Sequence, residues 1–436
     1  MNFIRRFLII ATCIAGLSGY QKAVAAKHAK PEGEVSTTLE VHDHDAIFSS
    51  SASFTFKVNN GTNTDQTGSV SYLVTTEKNE KLLTNTQKVK IGKNSSESYD
   101  FHIPGLKSGF YKINFMVNVS DYDDTTQRVF GIRPEDIRSA TPKPADFDQF
   151  WQNAKDELAK VKPEFKMTEL KDSTKDHRRV FEIEMKSIDN LTIRGYMTVP
   201  ITSNTHKKFA VLLGLPGYQV GLSPMFGTDE DLAVITLNVR GQGNSSDVLH
   251  RPRDEFIFYH LDDKNKYVMR GVIMDCVRCI DFIFSRPELN HDQIEVSGGS
   301  MGGFLSLATA SLDKRVALCA SQNPILTDVH HLDGIVDWPI TDIKKYVRTV
   351  PGLTLEKVID NLEYFDTKNF ATNITCPTLL GIGLLDNFVP PTNAFALYNN
   401  ITAKKHIIIF KNLGHEVATK YKDYEGRWSR DAFGLF

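Results

Sequence analysis

Two hydrophobic rhythms divide this chain. From residue 27 to about 136, apolar and polar positions alternate with a period of two. Phe54, Phe56 and Val58 alternate with Ser53, Thr55 and Lys57. Val70, Tyr72 and Val74 repeat the pattern, as do Tyr99, Phe101 and Ile103, and Tyr111 to Val119 carries the longest run. Alternation sends successive side chains to opposite faces of an extended strand, so each run predicts a strand with one buried face. Turn signals fall between the runs, at Asn59-Asn60-Gly61, Gly92, Pro104-Gly105 and Ser108-Gly109. Short strands punctuated in this way predict an antiparallel sandwich, and about 110 residues suits one immunoglobulin-like module.

A linker rich in Pro and Lys follows, with Pro134, Pro142 and Pro144, and the spacing then changes. Phe147, Phe150, Trp151, Ala154, Leu158 and Val161 share one helical face, with Asp146 as a candidate N-cap. Phe181–Met185 and Leu191–Val199 read as a hairpin. Ala210–Leu215, Leu232–Val239, Ile294–Ser297, Val316–Ala320, Thr378–Ile382 and His406–Phe410 read as buried parallel strands, with helical stretches such as Val268–Phe284 and Gly303–Leu312 between them. Alternating strands and helices predict an α/β domain over residues 137–436 with a mostly parallel sheet.

Residues 1–26 follow neither rhythm. Arg5 and Arg6 precede an apolar run from Phe7 to Ala15, and small residues end in Ala23-Val24-Ala25-Ala26. This is the pattern of a secretory signal peptide cleaved near Ala26, and the run is too short to span a bilayer. The expectation is a secreted or periplasmic protein without a membrane span. Thr12 before Cys13 argues against lipidation there. Cleavage would remove Arg5, Arg6 and Lys22 and no acid, so 51 basic residues become 48 against 53 acidic ones. No basic excess exists to hold a phosphate backbone, which excludes nucleic acid as the expected partner. Five cysteines are too few for a disulfide scaffold. Cys276-Val277-Arg278-Cys279 lies in a helix-period stretch with no second pair nearby, and reads as apolar packing. Asp121, Asp123 and Asp124 read as a solvated loop, with no calcium-type loop following. No metal or cofactor is expected.

The candidate chemistry begins at Gly298-Gly299-Ser300-Met301-Gly302, a G-x-S-x-G string between an apolar strand and a helix of small and apolar residues. A sharp strand-to-helix turn can hold the central Ser in a strained conformation at a helix N-terminus, where amides face developing negative charge. The partners should follow in the order acid, then His. Asp386 follows the apolar run 379–385, and His415 follows the strand ending at Phe410. Asp328 is an alternative acid that breaks this order, and His330 and His331 precede Asp386. His406 opens a strand and reads as a solvated edge residue. An oxyanion hole needs two backbone donors. The candidates are the amides of Met301 and of Tyr218, which leaves a strand through Leu215-Pro216-Gly217. Phe256, Phe258 and Tyr259 either line the substrate entrance or pack in the core.

Residues from about 144 to 422 resemble the acetyl xylan esterase and cephalosporin-C deacetylase group, carbohydrate esterase family seven. The resemblance is carried by Asp146-Phe147-Asp148-Gln149-Phe150-Trp151, Arg240-Gly241-Gln242-Gly243, the G-x-S-x-G string, Leu312-Asp313-Lys314-Arg315-Val316, Tyr364-Phe365-Asp366, Gly383-Leu384-Leu385-Asp386 with Pro390-Pro391, and Gly414-His415-Glu416. It implies an α/β hydrolase that removes acetyl groups from sugar hydroxyls through an acyl-enzyme, with Ser300, Asp386 and His415 as triad and Tyr218 and Met301 as oxyanion donors. It implies that Arg240, Gly241 and Gln242 are structural near the site, with Arg240 in a loop-positioning ion pair. Two residues depart from the family pattern. Met301 stands where Gln is usual, and Pro216 stands where His is usual. Family members often form ring-like hexamers, so a homo-oligomer is among the implied arrangements. The same triad order also fits a general short-chain esterase or a prolyl-oligopeptidase-like peptidase, although about 110 residues cannot supply a β-propeller. A carbohydrate-binding surface protein with a degenerate hydrolase domain is the non-enzymatic alternative.

Overall fold

A computed structural model describes residues 33–226, 230–249, 253–416 and 419–435. The expected signal peptide and Cys13 lie outside the described residues. The period-two region forms β1 (Val35–Val41), β2 (Ile47–Phe48), β3 (Ala52–Asn60), β4 (Gln66–Thr75), β5 (Lys81–Ile91), β6 (Ser95–Ile103), β7 (Gly109–Val119) and β8 (Tyr122–Ile132). They make two sheets, ordered β1-β3-β6 and β2-β8-β7-β4-β5. All pairings are antiparallel except that of β2 with β8. The alternating aromatics meet between the sheets. Phe115 of β7 lies 5.2 Å, 5.8 Å and 5.8 Å, centroid to centroid, from Phe54, Phe56 and Phe101 of the other sheet. Such ring pairs add to the burial of their apolar area.

The opposite face of the larger sheet is also covered. Phe110 and Lys112 of β7 and Gln127 and Val129 of β8 are out of phase with the core-facing residues, and the register sets Lys112 opposite Val129. Phe110 is buried, and its ring lies 5.3 Å from that of Phe395 in α7 (Pro391–Asn400). The Asn399 side-chain amide of the same helix donates to the carbonyls of Pro134 and Ile137, both at 2.9 Å.

The second region forms a nine-stranded sheet. Its strands are β9 (Lys166–Glu169), β10 (Arg178–Lys186), β11 (Thr192–Pro200), β12 (Phe209–Gly214), β13 (Leu232–Asn238), β14 (Leu289–Gly299), β15 (Leu318–Gln322), β16 (Thr378–Gly383) and β17 (Lys405–Phe410). The order is β17-β16-β15-β14-β12-β13-β11-β10-β9. β12 to β17 run parallel, and β9 to β11 extend the sheet antiparallel through β13. This is an α/β fold with a large, mostly parallel sheet, in keeping with an α/β hydrolase. β13 and β14 flank β12 on opposite sides, so the strand order reverses there. Chain segments leaving neighbouring strands at such a reversal diverge and open a crevice at the carboxyl ends.

The α-helices are α1 (Phe147–Lys160), α2 (Val268–Phe284), α3 (Met301–Leu312), α4 (Ile340–Thr349), α5 (Leu355–Leu362), α6 (Thr367–Ala371), α7 and α8 (Thr419–Phe433) among the described residues. α3 is buried on nearly every side, as a helix of small and apolar residues must be. Asp146 occupies the N-cap position of α1 but makes no cap hydrogen bond. Its carboxylate instead accepts from the Tyr364 hydroxyl and from Lys264. Cys276 and Cys279 are buried free thiols within α2, and burial raises both thiol pKa values. Among the described residues, no helix is long and apolar enough to cross a membrane, and no group of three or more His, Cys, Asp or Glu could hold a metal.

Candidate active site

Ser300 stands between β14 and α3 with φ 58° and ψ −118°. A non-glycine residue there costs on the order of 1–3 kcal/mol and persists only where its surroundings fix it. The Ser300 amide donates to the Gln322 carbonyl at 2.9 Å, and its carbonyl accepts from the Phe304 amide at 3.1 Å. The motif glycines are explained by close approach. A Cβ on Gly298 would stand 2.5 Å from the Gly302 carbonyl carbon, and one on Gly302 would stand 2.4 Å from the Leu215 carbonyl oxygen. Strand end, helix start and the loop after β12 can therefore stack without side chains between them.

The structure brings Ser300, His415 and Asp386 together. His415 Nε2 lies 2.8 Å from Ser300 Oγ, and His415 Nδ1 lies 2.7 Å from Asp386 Oδ2. The other Asp386 oxygen accepts from the amides of Phe388 and Val389 at 2.8 Å and 2.9 Å. The His415 side chain is 19% exposed and that of Asp386 1%, so the acid is shut from water while the imidazole is reachable. The parallel sheet supplies the proximity. Asp386 and His415 leave the neighbouring strands β16 and β17, and the Leu385 amide donates to the Leu413 carbonyl at 2.9 Å. Phe388 packs edge-on against the imidazole at 4.8 Å. This relay can move the Ser300 proton onto His415 while the carboxylate fixes the tautomer and stabilises the cation.

Met301 follows Ser300 directly, and Tyr218 lies in the loop that follows β12. Gly214 of β12 is in register with Ser297 of β14, so the loops leaving these strands lie side by side. Met301 opens α3, where a first-turn amide has no intrahelical acceptor. The Gln242 side-chain oxygen accepts from the Gln219 amide, pinning the residue after Tyr218. Arg240 sits behind this loop. Its guanidinium donates to both oxygens of Asp275 at 2.8 Å and 3.0 Å, to Asp189 at 3.0 Å and to the Ile188 carbonyl at 3.2 Å. Burial works against the Arg240 charge, but Asp275 and Asp189 outweigh it and raise the guanidinium above its ordinary value. The Gly241 amide donates to the Ser245 carbonyl at 2.9 Å. Gln242 thus touches the Tyr218 loop, whereas Arg240 and Gly241 bond Asp275, Asp189, Ile188 and Ser245.

Several supports had not been singled out from the sequence. Asn323, just past β15, donates from its side chain to the carbonyls of Gly414 and Glu416, and accepts from the Gly383 amide. Gln322 also donates to the Glu416 carbonyl, at 3.0 Å. The Glu416 carboxylate accepts from the Gly414 amide at 2.6 Å. The peptides on both sides of His415 are therefore tied to β15. The only local signal was a polar Gln-Asn pair closing an apolar strand. Trp338 was also missed. Its ring lies 5.8 Å from Tyr218 and 5.6 Å from Phe388, completing an aromatic wall that ends at His415. Phe256 packs on Tyr218 at 6.0 Å, whereas Phe258 stacks on Tyr346 at 5.7 Å. Asp328, the alternative acid, bonds Ser139 and faces Lys368. His331 bonds Asn393, and His330 faces Asp360 and Glu363. One cavity, of about 400 Å³, lies behind Arg240 and is lined by none of Ser300, Asp386 and His415.

Comparison with known proteins places the chain in a family. The family described as Acetyl xylan esterase (AXE1) matches residues 134–431. Acetyl esterase Axe7A of Xylanibacter ruminicola is 32% identical over 292 residues, which are 64% of this chain and 65% of that protein. The match therefore spans a little under two thirds of the relative's length. Among solved structures, acetyl xylan esterase 1 from Thermoanaerobacterium sp. JW/SL YS485 is 27% identical with a TM-score of 0.59. It covers 69% of this chain and 98% of its own. The acetyl xylan esterase from Paenibacillus sp. R4 is 26% identical with a TM-score of 0.61 and the same coverage. This chain belongs to the acetyl xylan esterase family, a family of carboxylic ester hydrolases.

Proposed function

We propose that this protein is an exported serine esterase that removes O-acetyl groups from acetylated xylan, xylo-oligosaccharides or related sugars. The observation that carries the reading is the hydrogen-bonded series Ser300–His415–Asp386 in a chain of this family. Ser300 Oγ attacks the acetyl carbonyl as His415 Nε2 takes its proton, and the tetrahedral oxyanion forms against the Tyr218 and Met301 amides. Its collapse expels the sugar alkoxide, which receives the proton from His415. Water then enters, His415 takes one of its protons, and acetate leaves as Ser300 recovers its hydrogen. Asp386 stays ionised throughout. This sequence of steps needs no cofactor. Met301 preserves the backbone donor where the family usually has Gln, so the departure alters side-chain contacts and not the oxyanion chemistry.

Residues 137–436 are the catalytic domain in this reading, and residues 27–136 are an immunoglobulin-like sandwich docked on α7. The basic start, short apolar run and A-x-A site of residues 1–26 support export, and the balanced charge suits an uncharged glycan ester. The test is a panel of p-nitrophenyl acetate, p-nitrophenyl butyrate, acetylated xylo-oligosaccharides and a peptidyl amide. Acetyl esters should be cleaved fastest and the amide not at all. Preference for butyrate would make the protein a general esterase, and cleavage of the amide would make it a peptidase.

A further inference from the structure

The second cavity lies between the two regions of the chain. About 240 Å³ in volume, it is walled on one side by Glu77, Lys112 and Gln127, and on the other by Val336, Asn387 and Pro391. Asp386 of the triad also lines it. The three N-terminal residues are brought there by the covered face of the larger sheet. Lys112 and Gln127 point away from the Phe core on β7 and β8, and Glu77 sits in the short β4–β5 connection. Lys112 Nζ holds that connection by donating to the Glu77 carbonyl at 2.8 Å and to Asn79 at 3.1 Å.

The chemistry of the walls is mixed in a specific way. Lys112 supplies a donor, and the Gln127 and Asn387 amides supply donors and acceptors. Glu77 Oε1 is shut from solvent, and its carboxyl faces inward beside the side chain and amide of Thr392, His331 and Lys112. Val336 and Pro391 supply apolar surface between these groups. The volume is below the roughly 300–1,000 Å³ of cavities that hold drug-sized ligands, which suits one small ring. Apolar area framed by donors and acceptors complements a sugar ring, whose C–H face is apolar and whose edge carries hydroxyls.

The cavity's position links it to the reaction. Asp386, which lines it, is hydrogen-bonded to His415 and through it to Ser300. On the hydrolase side it is walled by Ile335 and Val336 and by residues 384–387, and these segments continue in the chain to Trp338 and Phe388 of the aromatic wall. We infer that this cleft is a sugar subsite of the esterase, in which the N-terminal sheet contributes Glu77, Lys112 and Gln127 to hold a neighbouring glycosyl unit of the chain being deacetylated. The inference rests on the deacetylase reading, and it gives the N-terminal region a part in substrate choice that a spacer would not have.

The test compares the full-length protein with Gln127→Ala and Gln127→Trp, since Gln127 is exposed and its replacement leaves the core intact. For each, kcat/KM is measured on acetylated xylotetraose, on acetylated xylose and on p-nitrophenyl acetate. The wild type should prefer the tetraose to the monosaccharide. The ratio of tetraose to p-nitrophenyl acetate kcat/KM should fall about three- to tenfold in Gln127→Ala, the size of one lost hydrogen bond, and further in Gln127→Trp, which fills the cleft. Binding of acetylated xylotetraose to the Ser300→Ala protein by calorimetry should weaken in parallel when Gln127→Trp is added. Unchanged ratios and unchanged binding, in a wild type that does deacetylate the tetraose, would overturn the subsite and leave the esterase reading standing. A wild type inert on every acetylated sugar would overturn that reading itself.

Discussion

At the scale of single residues, the site rests on two kinds of group: those that would react and those that hold them. Asp386 belongs to the boundary, since its carboxylate accepts from His415 and from two amides. Asp386→Asn keeps the shape but loses the charge that fixes the imidazole tautomer. It should lower kcat on p-nitrophenyl acetate by a factor on the order of 10⁴ with an unchanged far-ultraviolet circular dichroism spectrum. A loss below tenfold would remove Asp386 from the relay. Away from the site, Glu363 is buried beside Asp366 and Lys368, and burial together with the Asp366 charge pushes its carboxyl up to about 7. Its pKa is thus raised above the unfolded value of about 4.3. Its favourable contribution is complete below that pH and is lost as pH rises toward 7, because the unfolded chain gives up the proton first. Glu363→Gln removes this term. The stability of the wild type relative to Glu363→Gln, from urea midpoints, should therefore decrease between pH 5 and pH 8; a constant or increasing difference would contradict the assignment. Ser300, Asp386 and His415 were legible because their order along the chain and the strands before them are sequence properties. Asn323 and Trp338 were not, because their roles depend on which loops meet across the sheet.

At the scale of elements, the elbow is where local sequence and tertiary packing coincide. Strand β14, a sharp turn at Ser300 and α3 require two glycines, and the contacts a Cβ would make are with backbone. Backbone cannot yield as a side chain can. Gly298→Ala should therefore cost about 1–3 kcal/mol of stability by overpacking. It should also cost roughly 10²-fold in turnover through displacement of Ser300, measured by urea denaturation and by p-nitrophenyl acetate hydrolysis. Activity equal to wild type would show that the close approach is dispensable. The same coincidence explains what could be read in advance elsewhere. β3, β4, β6 and β7 announce themselves because one face of each meets the Phe core. β5 does not, because it is an edge strand exposed along most of its length. Edge strands are commonly polar, which removes the periodic signal. The parallel strands showed as apolar runs because both faces are covered, but the sheet order did not follow from them. At Asp146 a residue suited to capping has been drawn to Tyr364 and Lys264 instead.

At the scale of the molecule, the two rhythms of the sequence become two packed regions. Phe110 is one residue through which the first reaches the second, and its position out of phase with the sandwich core has a structural reason. The reason is Phe395. Phe110→Ala should destabilise the protein by roughly 3–5 kcal/mol, the usual cost of a truncated buried Phe, while small-ester turnover is retained. A urea midpoint indistinguishable from wild type would mean that the contact between the regions carries little energy. The balanced charge and the paucity of cysteines excluded nucleic-acid binding and a disulfide scaffold as expectations. They could not show that the acid loop of the hydrolase borders a cleft completed by the N-terminal sheet.

The most direct test of the central claim is acetate release from acetylated xylan by the wild type and by Ser300→Ala. The account predicts release by the wild type and a loss on the order of 10⁴ or more in the variant, because no other residue takes over the nucleophile's bond. Equal release by the two proteins would contradict it.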